Sequence, residues 1–173
     1  SFLDKFGQKV IFLISSVFLM RLLDTSDYGI MGSLLIFIAF SSLLIDSGFG
    51  RALLNRKEIG ALEYSTVFYF NLAISLLLYV ALFISAPLIA QLFNEPLLIP
   101  VSRVLFLSLI FNGFSLIQMI IFIKASDFKT QTKANTAALI ISTSIALIMA
   151  WRGHGVWSLV AQNVIYAFFR SIL

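Results

Sequence analysis

The run Tyr64–Phe93, YSTVFYFNLAISLLLYVALFISAPLIAQLF, holds no Asp, Glu, Lys, Arg or His, and its apolarity is continuous. Membrane strands would alternate apolar and polar residues over about 10 positions, so an unbroken run of this length predicts a transmembrane α-helix. Pro87 lies in its last third, and Asn94-Glu95-Pro96 closes it with a tight turn. The chain repeats this pattern on both sides. Spanning helices are expected at about 3–23, 28–50, 64–93, 98–123, 134–150 and 156–173, with polar breaks at Asp24-Thr25-Ser26-Asp27, Arg51 to Glu58 and Arg152-Gly153-His154-Gly155. The expected fold is an all-α integral membrane bundle of six transmembrane helices that takes up all of 1–173.

Composition leads to the same place. With 60% hydrophobic residues, 12% charged residues and a mean hydropathy of +1.02, the 173-residue chain has too few polar side chains to cover a water-soluble globule. Its 18 Phe recur in every apolar run instead of gathering in one core. Cys is absent, so neither a disulfide framework nor a thiolate metal site can form from these residues. The net charge of +4 comes from basic residues that flank apolar runs and form no continuous patch, which argues against nucleic acid as a partner and for contact with membrane lipids. The chain begins at Ser1 without a Met and stops at Leu173 inside an apolar run, which reads as a piece of a longer protein.

Short connectors make neighbouring helices antiparallel, and basic residues then sort by side. Lys5, Lys9, Arg51, Arg56, Lys57, Lys124, Lys129, Lys133 and Arg170 fall on one side, and Arg21, Arg103 and Arg152 on the other. The richer side is expected to be cytoplasmic, with both ends of the chain inside.

Polar residues within apolar runs are the candidates for function, because a charge near mid-bilayer costs at least about 2.5 kcal/mol and normally faces protein or water. Asp46, ahead of Ser47-Gly48-Phe49-Gly50-Arg51, either caps a turn and pairs with Arg51, or is a cavity carboxylate that takes up and releases a proton. Asn112, beside Gly113, either makes an interhelical hydrogen bond or marks a bend. Interhelical hydrogen bonding is also the plain reading of Asn71, Gln118, Gln162 and Asn163. Arg21, at the outer end of the first helix, and Arg51, at the inner end of the second, are the best placed to offer forked donors to phosphate oxygens along one path. Arg103 and Arg170 are further cations, and snorkelling to headgroups is the default for Arg103. The small residues Ala134, Ala138, Ser142, Ala146 and Ala150 recur at every fourth position and predict a close helix-packing seam, or else a narrow wall along a translocation path. A single His, no Gly-rich phosphate loop and no close acidic pair leave intramembrane catalysis and ATP hydrolysis poorly supplied, so neither enzyme activity nor a cofactor is expected.

Four stretches carry a family resemblance: Arg21-Leu22-Leu23-Asp24-Thr25-Ser26-Asp27-Tyr28-Gly29; Asp46-Ser47-Gly48-Phe49-Gly50-Arg51-Ala52-Leu53-Leu54; Phe122-Ile123-Lys124 to Phe128-Lys129; and Gly153-His154-Gly155-Val156-Trp157-Ser158-Leu159-Val160-Ala161-Gln162. In this order, and on these helix ends, they resemble the bacterial polysaccharide-biosynthesis flippases. These are the O-antigen and exopolysaccharide exporters of the multidrug/oligosaccharidyl-lipid/polysaccharide superfamily. The resemblance implies an inner-membrane protein of twelve to fourteen helices in two six-helix lobes, with this chain as the N-terminal lobe and a C-terminal lobe of the same full-length chain as its partner. It implies a substrate, undecaprenyl-diphosphate-linked oligosaccharide, carried from the cytoplasmic to the outer leaflet by alternating access in the building of lipopolysaccharide, capsule or exopolysaccharide. A polysaccharide polymerase and glycosyltransferases are implied as neighbours in that process. It also strengthens Arg21 and Arg51, with Asp46 and Asn112, as cavity residues. The alternatives are a drug or organic-cation antiporter of the same superfamily and a membrane scaffold without transport.

Overall fold

In the computed structural model, the structure describes residues 2–46, 60–124 and 128–172. Seven helices account for the elements among them: α1 (Phe2–Leu22), α2 (Thr25–Asp46), α3 (Ala61–Phe93), α4 (Leu98–Leu105), α5 (Leu107–Lys124), α6 (Phe128–Trp151) and α7 (Val156–Ile172). Among the described residues, four stretches are long and apolar enough to cross a membrane by length and composition: Thr25–Ile45, Leu62–Phe93, Leu98–Ile123 and Thr130–Trp151. The first and last helices fall short of that standard for different reasons. α1 carries Asp4, Lys5, Lys9 and Arg21, whereas α7 has only 17 residues.

The turns explain why each helix stops where it does. Asn94 adopts a left-handed φ of 53° at the end of α3, and the Glu95 N–H reaches back to the Ala90 carbonyl at 3.0 Å, which satisfies a carbonyl the helix end would otherwise orphan. Gly153, with φ 77°, does the same after α6, where the His154 N–H donates to the Met149 carbonyl at 3.1 Å. Pro87 leaves α3 unbroken. α6 begins at Phe128, ahead of the apolar run expected at 134, because a helix can continue its hydrogen-bond ladder through polar residues beyond the hydrocarbon.

One expected helix is divided. The span from Leu98 to Ile123 is interrupted at Phe106, where the Leu109 N–H donates to the Phe106 carbonyl at 3.0 Å, a tightened three-residue step between α4 and α5. Of the two readings of Asn112-Gly113, the bend gains no support, since α5 runs helical through both residues. Gly113 instead permits close approach: a Cβ there would collide with Ser75 Oγ on α3.

α7 lies centrally and packs on α6, α5, α4 and α2; α3 packs on α5, α4 and α2, while α1 lies along α6. The core uses Leu34, Leu98, Val101, Leu105, Phe106, Leu109, Val156 and Val160. Outward faces carry Phe40, Leu43, Leu77, Ile84 and Leu88, each mostly exposed, as a surface against acyl chains requires. The small-residue stripe of α6 is a packing seam, with Ala138, Ser142 and Ala146 at 0% exposure and Ala150 at 4%.

Candidate functional site

At the end of the bundle that gathers the α1–α2 and α6–α7 turns, Asp27 ties two helix N-termini together. Its Oδ2 accepts the Asp24 N–H at 3.3 Å, and its Oδ1 accepts the Val156 N–H at 3.0 Å, across 129 residues of sequence. A carboxylate suits both places, because the first N–H groups of a helix lack internal partners and carry partial positive charge. Gly155 makes room for this contact: it has φ +54°, and a Cβ there would sit 3.1 Å from Asp27 Oδ1. In sequence terms Asp27 read only as part of a helix break.

Of the residues that sequence reasoning favoured, Arg21 and Asn112 are the two whose side chains are described, and they lie apart, on α1 and α5. Arg21 is exposed in the last turn of α1. Asp46 ends α2, but its side chain and all of Arg51 lie outside the described residues. Asn112 is half-buried on α5 and lines neither of the two cavities along α6 and α7. Arg103 is held over the Phe83 ring, with its guanidinium carbon 4.3 Å from the ring centroid.

Other polar residues do converge, along the facing sides of α6 and α7. One cavity of about 310 Å³ is lined by Phe12 of α1, Leu139 and Ser142 of α6, and Gln162, Asn163 and Tyr166 of α7. A smaller notch of about 20 Å³ is lined by Ser115, Gln118, Met119 and Phe122 of α5, Gln131, Ala134 and Asn135 of α6, and Arg170 of α7. Successive helix residues turn by about 100°, so Gln162, Asn163, Tyr166 and Arg170 share one face of α7, and Gln131, Asn135 and Ser142 share one face of α6. The two cavities share no lining residue and form two tiers along the α6–α7 pair, the notch lined also by α5 and the larger cavity also by α1. The notch lies near the end where α5 stops and α6 starts, and the larger cavity lies at mid-depth.

The chemistry differs between the tiers. In the notch, Arg170 Nη2 has only the Met119 sulfur near it, at 3.6 Å, and among the described residues no carboxylate is close enough to pair with it. Uncharged amides surround that cation. At mid-depth, Gln162 Nε2 donates to Thr143 Oγ1 at 3.3 Å, an interhelical bond, while Asn163 Nδ2 donates to the Leu159 carbonyl within its own helix at 3.0 Å. Sequence reasoning had all four of Gln118, Gln162, Asn163 and Arg170 in view. The signal it passed over was their spacing: Gln162, Tyr166 and Arg170 fall four apart, as do Gln131 and Asn135.

Residues 18–173 match the model of a family described as polysaccharide biosynthesis protein. The chain belongs to the polysaccharide biosynthesis protein family. Among its curated relatives, the lipopolysaccharide biosynthesis protein WzxC of Escherichia coli is 31% identical over 98 residues, covering 57% of this chain and 20% of that protein. The succinoglycan biosynthesis transport protein ExoT of Rhizobium meliloti is 24% identical over 170 residues, covering 98% of this chain and 34% of the relative. The teichuronic acid biosynthesis protein TuaB of Bacillus subtilis is 24% identical over 134 residues, 78% of this chain and 28% of its own length. The matched region thus spans a fifth to about a third of these relatives. No solved structure matches the chain significantly. As a member of this family with several apolar spans, the chain is a multi-pass membrane protein.

Proposed function

We propose that this chain is the N-terminal six-helix lobe of a bacterial inner-membrane flippase. It would carry undecaprenyl-diphosphate-linked oligosaccharide to the outer leaflet for cell-surface polysaccharide synthesis. The observation that carries the reading is the pair of cavities along α6 and α7: in one, the Arg170 guanidinium has no carboxylate partner among the described residues, and amides and hydroxyls line the other at mid-depth. A guanidinium without a carboxylate partner is an open site for phosphate oxygens, which its forked donors meet in pairs. The notch has room for about one water-sized group, so a phosphate oxygen enters while the rest of the diphosphate stays at the mouth. The glycan then lies in the larger cavity, and the polyprenyl tail stays in lipid.

The lobe reading draws support from the share of the relatives that the chain covers, 20 to 34% in WzxC and ExoT. Rocking of this lobe against a C-terminal lobe would alternate the open side. Arg170 and Lys133 sit at the basic end, which favours the notch opening to the cytoplasm. Arg21, Arg51, Asp46 and Asn112 keep a proposed place bordering the path between lobes, and the exposure of Arg21 leaves it available for that role. An organic-cation antiporter would want an acid in these cavities, whereas the charged group lining them is Arg170.

The test is export of polymer by cells whose full-length protein carries Arg170→Ala or Arg170→Lys. Export should fall at least about tenfold in the Ala variant, the scale of one lost charge-assisted hydrogen bond, and recover in part with Lys, at unchanged protein level. Undiminished export in Arg170→Ala would remove Arg170 from the substrate path.

A further inference from the structure

Met119 brings a sulfur up to the only charged group of the notch. Arg170 Nη2 lies 3.6 Å from that sulfur, and Met119 lines the notch beside Ser115, Gln118 and Asn135. Of the chain's four methionines, it is the one whose sulfur has a charged donor against it among the described residues. A thioether is a weak acceptor, so it leaves the guanidinium free for a stronger one. A sulfoxide is such an acceptor. Oxidation turns the apolar side chain polar, and an oxygen added to this sulfur falls within hydrogen-bond reach of Nη2.

Access and competition favour the position. Met119 is 38% exposed, whereas Met31 is 3% exposed in the core. The notch has about 20 Å³, room for one water-sized group, so a small neutral peroxide reaches the sulfur where a bulky oxidant is kept out. The 173 residues contain no cysteine, so no thiol among them competes for the oxidant.

We propose that Met119 is a modification site: its oxidation by hydrogen peroxide to the sulfoxide occupies Arg170 and closes the notch to phosphate. The proposal rests on the flippase reading and adds a regulation of its phosphate site. The sulfur lone pair attacks one peroxide oxygen, and the S–O bond forms as the O–O bond breaks. The leaving oxygen takes the proton of the transferred one and departs as water, so the sulfur is oxidised and the peroxide reduced. Arg170 and the amides of Gln118, Gln131 and Asn135 line the space in which that leaving oxygen gathers charge. The product oxygen then accepts a charge-assisted hydrogen bond from the guanidinium, the same bond that a phosphate oxygen needs. It also fills the small space that oxygen enters.

The experiment treats the purified full-length protein in nanodiscs with hydrogen peroxide. Binding of undecaprenyl diphosphate is measured before and after, and peptide mass spectrometry follows Met119 and Met31. Met119 should gain one oxygen well ahead of Met31, and bound undecaprenyl diphosphate should slow that gain. Affinity should fall about tenfold, the scale of one charge-assisted hydrogen bond. In Met119→Leu the ratio of affinities before and after treatment should be near one, whatever other methionines the full chain carries. Oxidation of Met119 no faster than that of Met31, unchanged affinity once Met119 is oxidised, or the same loss in Met119→Leu would each overturn the switch. No binding of undecaprenyl diphosphate to the untreated protein would instead overturn the flippase reading and the switch with it, so the two failures are distinct.

Discussion

Asp27, half-buried, and Asn71, fully buried, show how unlike two polar side chains can be in one bundle. Asp27 meets two helix N-termini, so Asp27→Ala leaves the Val156 and Asp24 N–H groups without their partner and should cost about 1–2 kcal/mol. A lowered thermal midpoint in detergent would show it, and Asp27→Asn should recover part of the loss through its remaining carbonyl oxygen. Asn71 is the opposite case: it is 1% exposed, yet among the described residues neither its Oδ1 nor its Nδ2 has a hydrogen-bond partner. Reading it as an interhelical glue residue is therefore corrected. Its backbone carbonyl, not its amide, takes the Ser75 hydroxyl at 2.7 Å. Asn71→Leu should raise stability by about 1 kcal/mol or more, because it replaces an unpaired amide with apolar volume; a lower melting temperature would count against this account. Neither role was legible in the sequence, because a long-range cap and an orphaned amide depend on which helices meet. Hydropathy does not report that.

At the scale of helices, the apolar runs and their breaks were legible because length, continuity and turn residues act locally. The tight turn at Asn94 and the seam along Ala138, Ser142 and Ala146 are read directly from residue type and spacing. The division at Phe106 was not, since no Gly or Pro marks it, and the nearby Gly113 drew attention to the wrong turn. That glycine serves contact between α3 and α5. Gly113→Ala should destabilise the bundle by about 1–3 kcal/mol, as overpacking does. Ser75→Gly should restore much of the loss, because Ser75 Oγ and Cβ are the atoms the new methyl meets. A double-mutant cycle followed by thermal unfolding checks this coupling, and strict additivity would contradict it.

For the molecule as a whole, family membership and the two cavities point the same way from independent grounds, one from residues 18–173 and the other from the facing sides of α6 and α7. The sequence indicated which residue types were exceptional in lipid, including Gln118, Gln162, Asn163 and Arg170, but it weighted Arg21 and Arg51 above them. Spacing along a single helix cannot reveal that antiparallel neighbours align two polar faces at matching depth. The account's central claim is that these aligned cavities are a watered substrate path. The 173 residues contain no cysteine, so single cysteines can be introduced at will in a background free of others. The decisive measurement is labelling by a water-soluble thiol reagent at Asn163→Cys, against Leu77→Cys on the lipid-facing surface of α3 as reference. The account predicts rapid labelling at position 163, slowed by lipid-linked oligosaccharide, and little labelling at 77. Labelling at 163 as slow as at 77, or indifferent to the lipid-linked oligosaccharide, would contradict it.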